Sequence, residues 1–127
     1  MSDTVVDASV VLAAILKEPG HEAFLDLREP ALFSAVNLAE ARARLADRGF
    51  DRRSIDASLG LVNVEIVDFD AEQAVISADL RPATRAAGLS LGDRACLALA
   101  QQRGAVALTA DRAWAGVDAP VAIQVVR

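Results

Sequence analysis

Four acidic residues stand at the borders of apolar stretches: Asp7 in TVVDASVVLAAIL, Glu40 in AVNLAEARARL, Asp93 in LSLGDRACLALA and Asp111 in AVALTADRAWA. A carboxylate seldom borders a core without a partner, because leaving water penalises its charged form. If the four fold together, each pair at about 4 Å repels by roughly 4 kcal/mol at an effective dielectric of about 20, so positive charge must sit among them. A divalent cation is the natural candidate. The one histidine, His21, lies beside Gly20 and Glu22, and the one cysteine, Cys96, lies in a core-like helical stretch, so no His/Cys set exists for zinc. Oxygen-only ligands point to Mg²⁺ or Mn²⁺. Mg²⁺ takes one or two carboxylates and keeps several waters, leaving water to be activated as a nucleophile and open positions for a phosphate oxygen. Those are the parts needed for phosphodiester hydrolysis.

Each acid also has a purely local use. Asp7 can cap the helix that follows it, and Asp93 stands three residues after Ser90, the spacing of a capping box. Asp111 follows a strand ending at Thr109 and can cap a short helix through Trp114, while Glu40 can pair with Arg44 one turn later. Taken singly, these uses account for each residue at least as well as chemistry does. Topology adds a joint constraint. Asp7 and Asp111 both follow predicted strands, and the carboxyl ends of strands in an open parallel sheet form one rim, where ligands bind. A helix that follows a strand starts at the same rim, and Glu40 and Asp93 lie in the first halves of their helices. All four can therefore reach one crevice.

The elements that must position them are short β-like runs at Thr4 to Val6, Ala31 to Phe33, Val64 to Phe69, Ala105 to Thr109 and Val121 to Val126, with helical pattern between them. This alternation predicts an α/β domain with a mostly parallel sheet covered by helices. Ala8 to Lys17 reads as the first helix, ended by Pro19-Gly20. Ala35 to Arg48 reads as another, closed by Gly49, with Leu38, Ala41 and Leu45 as its apolar stripe and Glu40 on a different face with Val36 and Ala43. Ala71 to Ala87 carries Pro82, which should kink or split it. Ser90 to Arg103, closed by Gly104, is apolar nearly all round and should be central.

A chain of 127 residues is expected to form a single domain, residues 1–127, able to bury a substantial core. The longest apolar runs, such as Val10 to Leu16, fall short of the roughly 18 residues of a membrane span. With no signal-like opening and no possible internal disulfide, a cytoplasmic location is expected. The formal net charge of −5 argues against a phosphate-rich partner, but its distribution matters more. Lys17 is the only lysine, and Arg42, Arg44, Arg48, Arg52 and Arg53 cluster in sequence. Arginine forks suit phosphate geometry, although the same residues, mixed with Asp47 and Asp51, also fit a solvated helix face.

The four acidic blocks resemble, in order and spacing, those of the PIN-domain ribonucleases, and among them the VapC toxins of bacterial toxin–antitoxin pairs. VVDASVVLAAI is similar to the family's first strand and helix, AVNLAEARARL to its second block, GLSLGDRACLALA to its third and ALTADRAW to its fourth. The likeness extends over essentially the whole chain. It implies a three-layer α/β/α fold, a homodimer, Mg²⁺- or Mn²⁺-dependent endonucleolytic cleavage of RNA leaving 5′-phosphate and 3′-hydroxyl ends, and a cognate antitoxin whose tail occupies the groove. It makes Asp7 and Asp93 the most direct metal ligands, with Glu40 and Asp111 completing the pocket directly or through water. Ser9 and Thr109 are similar to the hydroxyl residues flanking the family's first and last acids, and local capping of turns is their other reading. Arg44 and Arg48 are the candidates for contact with the RNA backbone. Arg94 stands where many relatives carry a small residue, but neighbours on a helix do not face each other, so it should not compete for Asp93.

A non-catalytic PIN-like module that dimerises or binds a partner is the alternative, and the intact set of four acids speaks against it. A phosphoacceptor receiver domain would need an acidic pair after the first strand and a late lysine, neither of which is present. With no tyrosine and one tryptophan, stacking on RNA bases has few sources, and Trp114 reads as core.

Overall fold

The computed structural model describes residues 3–127. Strands β1 (Thr4–Val6), β2 (Ala31–Ser34), β3 (Val64–Val67), β4 (Val106–Thr109) and β5 (Ile123–Val125) form one sheet in the order β3-β2-β1-β4-β5, every pairing parallel. The connecting helices are α1 (Ala8–Leu16), α2 (His21–Leu25), α3 (Ala35–Asp47), α4 (Arg52–Gly60), α5 (Ala71–Asp79), α6 (Arg81–Thr84) and α7 (Leu91–Arg103).

Alternation along the strands divides the core in two. Val6, Phe33 and Leu108 pack with Val11, Phe24, Ala41, Leu45 and Ile55 of α1 to α4 on one face. Val5, Leu32 and Ala107 pack with Leu80, Cys96, Leu97, Leu99 and Trp114 on the other. The result is the expected three-layer α/β/α arrangement. From β1 the chain steps outward through β2 to β3, then returns past β1 to β4 and β5. With right-handed crossovers, reversing direction obliges the helices to change face, and they do. The reversal opens a crevice beyond the carboxyl ends of β1 and β4.

Local chemistry explains most boundaries. α1 ends at Lys17, held at φ 57° with its N–H on the Ala13 carbonyl. Gly20 follows at φ 99°, where a Cβ would come within 2.9 Å of the Val126 carbonyl oxygen, so only glycine fits the turn beneath the last strand. The 71–87 segment divides at Leu80, with Pro82 in the first turn of α6, where a missing N–H leaves no helical bond unmade. α7 begins one residue later than expected because Ser90 is its cap, and Ala95 to Ala100 are all buried, as its all-round apolarity requires. β3 stops at Val67 rather than Phe69 because its partner β2 ends at Ser34, opposite Val67. Two helices have only a short signal in the sequence: α2 is one turn and a half, and α4 has the single apolar pair Ile55 and Leu59, of which only Ile55 is well buried. No helix of the described residues is long and apolar enough to cross a membrane.

Candidate active site

The crevice at the strand reversal holds a cleft of about 190 Å³ lined by Asp7, Ala8, Ser9, Glu40, Arg44, Ser90, Asp93 and Asp111. All four acids singled out from the sequence meet there. A larger cleft of about 340 Å³, between α1, α2 and the end of α4, is lined by apolar side chains with Lys17, Ser58 and Asn63, and contains no carboxylate.

Asp7 is the buried member, at 3% exposure. It follows β1 directly and caps α1 by accepting from the Val10 N–H at 3.2 Å. Ser9 Oγ donates to its Oδ1 at 2.6 Å and Thr109 Oγ1 to its Oδ2 at 2.7 Å. Both hydroxyls are themselves fixed: Ser9 Oγ accepts from the Ala110 N–H and Thr109 Oγ1 from the Asp111 N–H, at 2.9 and 3.0 Å. The end of β4 is thereby stitched to the start of α1 through the Asp7 carboxylate. Burial pushes the Asp7 carboxyl up to about 6; the hydroxyl and N–H bonds oppose that rise and the charge of Asp93 adds to it.

The other three acids are more open. Asp93 is half-buried and forms the expected capping box, accepting from the Ser90 N–H at 2.9 Å while its own N–H donates to Ser90 Oγ at 3.2 Å. Asp111 is exposed and accepts from the Ala113 N–H at 2.9 Å, capping the one-turn helix Arg112–Trp114. The local capping uses are thus realised together with the convergence, since a capping carboxylate keeps a free oxygen edge. Glu40 differs from its local expectation. Among the described residues no ion pair joins it to Arg44; its Oε1 instead accepts from Asn37 Nδ2 at 2.8 Å.

Asn37 was not legible as a site residue. Its signal was a polar side chain one turn before Glu40 in an otherwise apolar run, and it proves to be 1% exposed. Arg44 reaches the cleft, whereas Arg48 does not line it and lies 3.8 Å from Glu18. Arg94 points away to α5, donating to the Ser77 carbonyl at 3.1 Å, and leaves Asp93 unobstructed. Trp114 is buried in the core, as expected. Cys96 lies behind the acids: burial pushes its thiol well above the usual range, and the charges of Asp7, Asp93 and Glu40 push it further.

The donor set suits a hard divalent cation, being all oxygen, strongly negative and served by one arginine. Among the described residues no three His, Cys, Asp or Glu side chains are drawn up as a complete ligand set. An ion that keeps most of its waters does not require one.

Comparison with known proteins follows the same lines. The family model described as the PIN domain matches residues 4–120. The chain belongs to the PIN domain family. No curated protein matches this PIN domain. Among solved structures it is similar to the DNA-bound VapBC of Salmonella typhimurium (TM-score 0.72, 18% identity, all of both chains covered). It is also similar to VapC20 of Mycobacterium tuberculosis, described as a sarcin–ricin-loop-cleaving toxin (TM-score 0.70, 16% identity, 91% of this chain and 97% of that one). A third is VapBC-5 of the same organism, from the VapBC family of toxin–antitoxin systems (TM-score 0.67, 23% identity, 100% of this chain and 99% of that one). At these identities the likeness is one of fold, and the strand-reversal cleft of this PIN domain stands on its own geometry.

Proposed function

We propose that this protein is a Mg²⁺- or Mn²⁺-dependent endoribonuclease and the toxin of a toxin–antitoxin pair, working as a homodimer and neutralised by a cognate antitoxin. The reading rests foremost on the convergence of Asp7, Glu40, Asp93 and Asp111 on one small cleft around a buried carboxylate. The similar structures named VapBC and the loop-cleaving activity in the description of VapC20 support the toxin and RNA parts. An acidic chain of net charge −5 is also suited to a basic antitoxin.

Asp7 and Asp93 would hold the metal, with Glu40 and Asp111 completing the site directly or through water. When bound, the ion supplies Lewis acidity, making water a nucleophile at neutral pH and offsetting charge on the phosphoryl oxygens. Ser9 and Thr109 lock the orientation of Asp7, so the carboxylate does not reorganise during reaction. Glu40, with Oε1 engaged by Asn37, would take at Oε2 the proton released by the attacking water. Arg44, exposed at the cleft, grips a phosphate of single-stranded or loop RNA.

The test is incubation of end-labelled RNA with the purified protein in Mg²⁺ or Mn²⁺ and in chelator. Cleavage in both metals and none in chelator is expected. No cleavage with any divalent ion would instead leave a partner-binding module, and cleavage indifferent to chelator would overturn the metal dependence. Arg44→Gln should raise KM for RNA about tenfold, roughly 1.4 kcal/mol, with kcat little changed. Arg48→Gln, which alters a side chain outside the cleft, should leave KM within about twofold, since exposed ion pairs contribute little.

A further inference from the structure

Asn37 and Gly92 come from different helices and meet at one carboxylate. The Asn37 amide, at 1% exposure, donates from Nδ2 to Glu40 Oε1 at 2.8 Å and to the Gly92 carbonyl at 3.0 Å. Both partners are acceptors, so the amide nitrogen, not the oxygen, must face them. Asn37 Oδ1 is left buried without a hydrogen-bond partner among the described residues. A core position that leaves an acceptor orphaned is not optimised for stability. Gly92 is equally out of place by local criteria. It sits in the first turn of α7 with no left-handed φ, where alanine is the better helix former. A Cβ built there would fall on the Glu40 carboxylate itself, not on the α3 backbone. The missing methyl is thus the space that the carboxylate fills.

We infer that Asn37 and Gly92 are a positioning pair that seats the Glu40 carboxylate against the first turn of α7, fixing its distance from Asp93. The inference rests on the metal-dependent nuclease reading above. Asn37 supplies the pull, using one N–H on Glu40 and the other on the α7 backbone, so α3 and α7 are registered by the same amide that orients the acid. Gly92 supplies the room. The partial positive charge at the α7 N-terminus favours an anion in that seat. Without the pair, Glu40 remains in the chain but its flexible side chain swings clear of the cleft.

The experiment compares wild type with Gly92→Ala, Asn37→Leu, Glu40→Ala, Asp7→Asn and the double variant Gly92→Ala/Glu40→Ala. Three quantities are read: the dissociation constant for Mn²⁺ from the free-ion electron paramagnetic resonance signal, the single-turnover rate on end-labelled RNA, and Tm in chelator. Gly92→Ala should keep or raise Tm, because the obstructed atoms end a flexible side chain. It should nonetheless weaken Mn²⁺ binding and slow cleavage by about tenfold each. In the Glu40→Ala background the same substitution should change neither, since no carboxylate remains to displace. Asn37→Leu should resemble Gly92→Ala in binding and rate if it folds.

Gly92→Ala within twofold of wild type in Mn²⁺ binding and rate, while Glu40→Ala impairs both, overturns the positioning pair and leaves the nuclease reading intact. Equal losses from Gly92→Ala with and without Glu40 overturn it too, assigning Gly92 to helix packing. If Asp7→Asn and Glu40→Ala alter neither binding nor cleavage, the nuclease reading falls and takes the pair with it.

Discussion

Asp7→Asn is expected to lower the single-turnover rate of RNA cleavage by about a thousandfold or more, roughly 4 kcal/mol of transition-state stabilisation, in saturating Mg²⁺. The substitution preserves shape. Val10 N–H and Ser9 can still donate to the remaining amide oxygen, and the Thr109 hydroxyl can turn to accept from the new amide nitrogen. What disappears is one negative charge at the most buried point of the cleft, where solvent screens it least. The remaining acids are more open, and an exposed carboxylate loses more of its attraction for a cation to hydration. An Asp7→Asn protein that cuts RNA within about tenfold of wild type would remove Asp7 from the chemistry and with it the centre of the proposed site.

The second large effect is on stability and has a definite pH direction. In metal-free protein the folded state holds the Asp7 proton up to about pH 6, the unfolded chain only to about 3.8. Between those values folding takes up a proton, so stability falls as pH rises through the window and the loss is complete above it. A displacement from 3.8 to about 6 corresponds to roughly 3 kcal/mol. Urea unfolding in chelator at pH 7 should therefore find Asp7→Asn more stable than wild type by an amount of that order, with the advantage gone near pH 4. Comparing the two proteins at each pH cancels the other titrating groups. Metal should reverse the order at pH 7. It takes the place of the proton on Asp7, and at a thousandfold excess over its dissociation constant it stabilises wild type by about 4.1 kcal/mol. A wild type indifferent to Mn²⁺ would remove the ion from the folded protein, and an Asp7→Asn variant stabilised equally would place it elsewhere.

How much of this was legible in the sequence depended on how local each cause was. Asp7, Asp93 and Asp111 each sit at a strand end or helix start that short-range pattern reveals, and the parallel alternation of elements was enough to put them on one rim. The boundary at Pro82 and the all-buried stretch Ala95 to Ala100 were equally local in origin. Glu40 marked the limit. Its one-turn neighbour Arg44 was the visible partner, but the one it takes, Asn37, earns its place through the Gly92 carbonyl of α7, a contact spanning 55 positions. α4 escaped for a different reason. With Ile55 well buried and Leu59 one turn later only half-buried, RRSIDASLG offers a single apolar pair at helical spacing, and its cap at Asp51 resembles any other loop carboxylate. Arg48, expected beside Arg44 as a contact for the RNA backbone, lies outside the cleft near Glu18, a neighbour that sequence proximity to Arg44 could not reveal.

The stitch between Thr109 and Asp7 joins residues 102 positions apart, and β1 is flanked on that side only by β4. During synthesis, a nascent polypeptide whose segment around Thr109 is still inside the ribosomal tunnel has neither the hydroxyl that seats its first acid nor the neighbour that closes the crevice. The Asp7 carboxylate is therefore seated only after the segment around Thr109 has emerged, and contacts of such long range are slow to form. A fragment that stops short of β4 would lack both hydroxyl and neighbour.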